Sequence, residues 1–261
     1  MEISLSQVIN RAPNVGADRS VHAVIFSDIH APFHSTDWVR RALGYSETLD
    51  DSRVAVVAGD TCDFASLAFH APHQTPPSTE EEVTAARQVL GAIAEHFDKV
   101  YVTFGNHEHR ASRRLPDLTP SLVMHMLVDG LPNNVTASPY WYSWLNQKKW
   151  FVVHPEKYSK DALKVARKIS DDMSLAEGRP VSVIAGHEHH GAKAAVGQNR
   201  VVICNPTLQD YNKTAYLTHH HLSQGYPPWA QGFTHVRPDG GSRVFSYEDA
   251  PYLDSLSRRR R

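Results

Sequence analysis

At 261 residues, 41% hydrophobic and 21% charged, the chain has the composition of a soluble globular protein with a sizeable core, which excludes disordered and fibrous classes. Its formal net charge of -1 gives no global attraction to nucleic acid or to a membrane surface. No long apolar stretch marks the first residues or a membrane span. The two cysteines, Cys62 and Cys204, indicate no disulfide framework, so a cytoplasmic protein with two small buried thiols is expected.

In chain order, His22–Phe26 predicts a strand covered on both faces, because its residues are nearly continuously apolar and rich in β-branched types. Thr36–Leu49 predicts a helix and Arg53–Ala58 a second strand. Ser78–Phe97 predicts the strongest helix: Ser78 and Thr79 each stand three residues before a glutamate, and Val83, Ala86, Val89, Leu90 and Ile93 form an apolar stripe. Lys99–Phe104, Lys149–Val153, Val181–Ala185 and Arg200–Cys204 predict further strands. Pro120–Val128 and Ser159–Ala176, the latter stopped by Gly178, predict helices between them. Phe233–Val236 and Ser242–Tyr247 flank Pro238-Asp239-Gly240-Gly241, a hairpin pattern. Tyr252–Arg261, with four terminal arginines, reads as a solvated basic tail.

The alternation of strand and helix argues an α/β class and fits a doubly wound sheet as well as a sandwich. One domain over residues 1–250 is expected, with a motif core at 20–206, a hairpin extension at 207–250 and a basic tail at 251–261.

Five polar clusters carry the chemistry: Asp28-Ile-His30, Gly59-Asp60-Thr61-Cys62-Asp63, Gly105-Asn106-His107-Glu108, His154, and Gly186-His187-Glu188-His189. Most follow an apolar run directly, where a parallel strand releases its next residues into a crevice. A lone Asp-x-His means little, and Asn106 by itself suits a turn. Together they supply the carboxylate, imidazole and neutral oxygen donors that two divalent cations sharing a bridging oxygen require.

In this order and spacing the chain resembles the calcineurin-like metallophosphoesterases, with D-x-H, G-D-x-x-D, G-N-H-E/D, a lone His and G-H-x-H all filled. The resemblance implies a two-sheet β-sandwich flanked by helices and a binuclear site that hydrolyses phosphoesters with a bridging hydroxide. It implies Asp28, His30 and His189 on one metal, Asn106, His154 and His187 on the other, and Asp60 shared. His107 becomes the catalytic histidine, and Asp63 and Glu108 orient the ligands. The cofactor is then two divalent ions, Mn first, with Fe, Zn, Co or Ni also suited to an O/N donor set.

His190 competes with His189, and the family's one-residue gap favours His189. Arg110, Arg113 and Arg114 could meet substrate phosphates, Arg110 first, although an exposed helix face suits at least two of the three better, and His34 is a further weak candidate at the border of the site. The Phe64–Pro77 connection, with His70 and His73, and Tyr140–Trp144 are candidates for holding a flanking group, the loop being equally suited to packing over the sheet edge and the aromatics better suited to packing against the sheet. His219-His220-His221 reads as a polar loop. A phosphoester is the expected partner, a phosphodiester ahead of a monoester. The sequence leaves oligomeric state open and gives no membrane partner. Two rivals share the fold: a nucleic-acid-processing enzyme using the terminal arginines, and a binding scaffold without catalysis.

Overall fold

Residues 6–49, 52–68, 75–115, 117–197, 199–213 and 229–258 are described by the computed structural model. In the first sheet, β2 (His22–Phe26), β3 (Arg53–Ala58), β4 (Lys99–Thr103) and β5 (Val135–Ala137) run parallel. β11 (Phe233–Val236) adds antiparallel to β2, and β12 (Ser242–Phe245) to β11. The second sheet has the order β1 (Asn14–Val15), β6 (Tyr142–Leu145), β7 (Trp150–Val153), β8 (Ser182–Ala185), β10 (Arg200–Cys204) and β9 (Ala192–Val196).

The near-continuous apolarity of the central strands has a direct cause, since successive side chains point to opposite faces and both faces are covered. Ala23 and Ile25 of β2, with Val54 and Val56 of β3, face Leu145, Trp150, Val152, Ile184 and Ile203 across the interior between the sheets. Val24, Phe26, Ala55 and Val57 face outward onto helices α1 (Thr36–Ser46), α2 (Thr79–His96) and α4 (Pro120–Val128). Phe151, Val183 and Val202 of the second sheet pack beneath α5 (Lys164–Glu177). The result is the helix-flanked two-sheet sandwich that the resemblance implies.

The predicted capping box of α2 is present: Ser78 Oγ accepts the Glu81 N–H at 3.2 Å, and Glu81 Oε2 accepts the Ser78 N–H at 2.7 Å. Gly178 closes α5 in the left-handed conformation, φ 63°. That helix begins at Lys164 rather than Ser159, because the Ser159 N–H is held by Glu188 Oε1 at 2.8 Å and Leu163 is itself left-handed. β1, β5, β6 and β9 were not expected. The first two are very short, and β9 is an edge strand whose alternate residues are exposed.

Over the described residues, up to Arg258, the reading of a solvated tail is corrected. Ala250–Arg258 forms helix α6, Leu253 is buried at 1% exposure, and Leu256 packs beside it. Arg41 on α1 holds Asp254 through two hydrogen bonds of 2.9 and 3.0 Å, anchoring the helix against α1. The terminal arginines drew attention away from an apolar i, i+3 pair. Arg259–Arg261, His70, His73 and His219–His221 lie outside the described residues.

At the end of the sandwich where β2 begins, His235 sits buried between His22, with ring nitrogens 3.0 Å apart, and the Tyr45 hydroxyl at 2.8 Å. Burial and the neighbouring His22 pull the His235 pKa down to about 4. The unfolded chain therefore binds a proton near pH 6.5 that the folded chain refuses until about pH 4, and stability falls as pH drops through that window. His235→Gln is expected to flatten the fall by on the order of 2 kcal/mol between these limits, read from urea unfolding of both proteins at graded pH.

Candidate metal centre

All five clusters emerge at the same edge of the sandwich, from the ends of β2, β3, β4, β7 and β8. Just past those ends the chain turns sharply. Asp28, His30, Asp60, His187 and His189 all adopt left-handed φ values between 49° and 75°, a conformation that costs a non-glycine residue roughly 1–2 kcal/mol. The turns aim these side chains back toward the gap between the sheets.

Asp60 lies at the centre. Its Oδ2 is 3.2 Å from His154 Nε2, 3.8 Å from His30 Nε2 and 3.8 Å from His107 Nε2, while Oδ1 accepts the His107 N–H at 2.9 Å. On one side Asp28, His30 and His189 bring donor atoms within 4.8 Å of one another, and on the other Asp60, His154 and His187 do the same. Asn106 Oδ1 lies 2.8 Å from His154 Nε2. A third group, His30, Asp60 and His107, has the same spacing and overlaps the first at His30 and the second at Asp60, so the candidate donors meet around Asp60.

Two of the four histidines, His154 and His30, are held through the nitrogen that a metal would not need. His154 Nδ1 donates to the Ala58 carbonyl at 3.0 Å, leaving Nε2 facing the centre. His30 Nδ1 donates to Asp63 Oδ1 at 2.8 Å, and its Nε2 is buried with no hydrogen-bond partner. His189 Nδ1 is likewise buried and unpartnered. A carboxylate or carbonyl fixing the far nitrogen is the usual support of a ligating imidazole. The unpartnered His30 Nε2 facing Asp60, and His189 Nε2 3.0 Å from Asp28 Oδ1, fit divalent cations between imidazole and carboxylate.

Asp63 and Glu108 each make several hydrogen bonds at the edge of these groups. Besides holding His30, Asp63 accepts His107 Nδ1–H on its backbone oxygen at 2.6 Å. Glu108, with no exposed surface, accepts four backbone N–H groups: Asp60 and Gly105 at 2.9 Å, Thr61 at 2.8 Å and Cys62 at 3.1 Å. One carboxylate therefore ties the turn after β3 to the start of α3 (Asn106–Arg114).

Two glycines are required by close approach. A Cβ at Gly59, φ 73°, would lie 2.5 Å from His154 Cγ, and one at Gly105 would meet Asp60 Oδ1.

The electrostatics follow from this crowding. Burial disfavours ionised Asp28 and Asp60, yet His189 beside the first, and His154 and His107 beside the second, hold both carboxyls below the usual range. Burial likewise opposes charge on His154 and His107. Asp60 overrides it, assisted at His107 by Asp63, lifting His154 to about 10 and His107 to about 9. His187, half-buried and beside His154, falls to about 4 through partial loss of hydration and that neighbouring charge. Without cations the protein thus balances its buried carboxylates with protonated imidazoles.

Arg110 donates to the backbone oxygen of Asp63 at 3.1 Å and lies 3.2 Å from His107 Nε2, which places its guanidinium at the centre. Arg113 and Arg114 are exposed on α3. His34 is not gathered into either group; its backbone bridges to Gln209 and its carbonyl accepts Lys213 Nζ–H at 2.9 Å. Of the aromatic stretch, Trp144 is buried, Trp141 and Tyr142 pack against the core, and Tyr140 is exposed. Sequence reasoning missed Trp229, whose ring is 4.4 Å from His189, and Tyr158, whose ring is 6.2 Å from His187. Neither lies in a patterned segment, so nothing local signalled them.

A family model described as calcineurin-like phosphoesterase matches residues 21–223, a span containing every candidate ligand. The chain belongs to that family, and its membership together with the buried His/Asp groups supports phosphoester hydrolysis with divalent metals. Among solved structures the chain is similar to Vps29 from Chaetomium thermophilum, at 9% identity and TM-score 0.41 over 87% of this chain and 97% of that one. It is also similar to a 5'-nucleotidase precursor from Thermus thermophilus, at 11% identity and TM-score 0.37 over 91% of this chain and 57% of that one. A protein of unknown function from Aquifex aeolicus matches at 13% identity and TM-score 0.34 over 65% of this chain and 80% of that one. A comparison with curated proteins gives no match. Among the described residues, no helix is long and apolar enough to cross a membrane.

The Glu108 clamp makes a direct test of how the centre is held. Glu108→Gln replaces one acceptor oxygen by an NH2 group facing two backbone donors, so a loss of roughly 2–4 kcal/mol is expected. Denaturant unfolding of the metal-free variant measures it. Stability equal to wild type would show that the four N–H groups find other partners.

Proposed function

We propose that the chain hydrolyses phosphoesters, phosphodiesters ahead of monoesters, with two divalent cations. Asp28, His30 and His189 hold one, Asn106, His154 and His187 hold the other, and Asp60 is shared. The observation that carries this reading is the position of Asp60 Oδ2, within 3.2–3.8 Å of imidazoles belonging to both groups. The donor set contains carboxylate, imidazole and amide oxygen without thiolate, which suits Mn and also Fe, Zn, Co or Ni. When bound, such a pair of cations acidifies a water molecule and offsets charge that develops on a phosphoryl group.

The chain's own residues do the rest. His107, tethered through Nδ1 to the Asp63 carbonyl, turns Nε2 toward the centre, where it protonates or hydrogen-bonds the departing oxygen. Arg110, beside it, presents a planar donor fork to phosphoryl oxygens. Trp229 against His189 and Tyr158, 42% exposed and beside His187, offer aromatic surface for the second ester group, which supports the diester preference. Two free, buried cysteines accord with a reducing cytoplasm.

Elemental analysis after reconstitution with Mn is expected to give two ions per chain. Asp60→Asn weakens both sites and His30→Ala mainly one; a stoichiometry near zero in folded wild type rejects the assignment.

His107→Asn is expected to retain both ions and lose activity in proportion to how badly the leaving oxygen needs a proton. Aryl esters lose least, and an alkoxide such as a ribose hydroxyl loses on the order of 10²–10⁴-fold. Single-turnover rates across leaving groups of graded pKa decide between this role and charge stabilisation, for which the loss is uniform. In the same assays, at least tenfold higher efficiency on an aryl phosphate than on its bis-aryl analogue would count against the diester preference.

A further inference from the structure

The segment after β8 reads Gly186-His187-Glu188-His189-His190-Gly191, and its left-handed residues fall at His187, His189 and Gly191, with φ 75°, 61° and 62°. Alternate residues consequently divide between two places. His187 and His189 join the centre around Asp60 and Asp28, whereas Glu188 and His190 gather with Cys204, at the end of β10, bringing their donor atoms within 4.8 Å of one another. Glu188 and Cys204 have no exposed surface.

This second cluster is poorly satisfied as it stands. Glu188 Oε1 accepts the Ser159 N–H at 2.8 Å, but Oε2 is buried and unpartnered, as are both ring nitrogens of His190. The Cys204 thiol, close to the Glu188 carboxyl and to the His190 backbone, supplies only a weak hydrogen bond. A buried carboxyl oxygen served only by a thiol costs more than a made hydrogen bond contributes, and an imidazole with neither nitrogen engaged adds to that cost.

We propose that Glu188, His190 and Cys204 form a separate zinc site behind the phosphoesterase centre. One carboxylate oxygen, one imidazole and one thiolate are a three-residue donor set for tetrahedral Zn2+, with a fourth position for water. Bonds of about 2.0–2.3 Å set tetrahedral edges of roughly 3.3–3.7 Å, and the three donor atoms already lie within 4.8 Å of one another. The thiol releases its proton to solvent on binding. Thiolate and carboxylate then cancel the ion's charge, so the site adds no net charge behind His187 and His189. Its effect is mechanical: it ties the loop that presents those two histidines to the end of β10. The site does not rest on the assignment of the binuclear centre, because the two clusters share no residue.

Cobalt titration of the chelator-stripped full chain tests it, because a thiolate ligand gives Co2+ an intense near-ultraviolet charge-transfer band that O/N ligands do not. The band is expected in wild type, in Cys62→Ser and in Asp60→Asn, and is expected to vanish in Cys204→Ser and Cys204→Ala. His190→Gln is expected to weaken the titration by at least about tenfold. Zinc content is expected to fall by one ion per chain in the Cys204 variants, with circular dichroism checking that each is folded. Cobalt bound to folded wild type without the band, or a band that survives Cys204→Ser, overturns the proposal and leaves a hydrogen-bonded Glu188–Cys204 pair in its place. Failure of the binuclear reading shows separately, as no cobalt removable by Asp60→Asn.

Discussion

Four carboxylates, those of Asp28, Asp60, Asp63 and Glu108, converge at one edge of the sandwich with at most 7% of any residue exposed. Carboxylates buried this closely repel one another and lose their hydration, so the fold survives only if each receives compensating positive charge or hydrogen-bond donors. The compensation differs for each. Glu108 collects backbone amides, Asp63 accepts from His30, Asp28 takes the His187 N–H and lies 3.0 Å from His189 Nε2, and Asp60 is ringed by His154, His30 and His107. Cations in place of the imidazolium charge are a stronger form of the same compensation, and this is why so costly an assembly makes sense as a metal centre.

The rigid part of the arrangement comes from the sheets. Parallel strands deliver their carboxyl ends to one edge, and strands from both sheets contribute, so donors approach the centre from two sides. The strained part is confined to the first residues beyond each strand. Left-handed backbone at Asp28, His30, Asp60, His187 and His189 is held by the packing beneath and by amide contacts such as His187 N–H with Asp28. Gly59 and Gly105 are small for the complementary reason that His154 and Asp60 occupy the space a side chain would take.

The same left-handed turns give the Gly186–Gly191 loop two faces. One face belongs to the centre, while the other places Glu188 and His190 against Cys204. Arg110 shows a related economy, since a helix beginning at Asn106 carries a ligand candidate, a histidine, the Glu108 clamp and a guanidinium within its first turns.

Much of this was legible in the chain itself. Apolar runs of five or six residues identified β2, β3, β4 and β10 because burial on both faces removes polar positions from a strand. Ser78 with Glu81 marked the start of α2 because unpaired amides at a helix end need an acceptor. The order of the five clusters named the residues that meet. What the sequence withheld depends on contacts between distant segments. Helix α6 is stable because Leu253 finds the core and Asp254 finds Arg41, more than two hundred positions earlier. Trp229 and Tyr158 reach His189 and His187 across the fold. Cys204 read as an inert buried thiol, because its two partners stand among residues whose neighbours explained them already. Local pattern records which faces of an element are dry and where its ends need capping; which side chains face each other across a turn is decided only when the strands have packed.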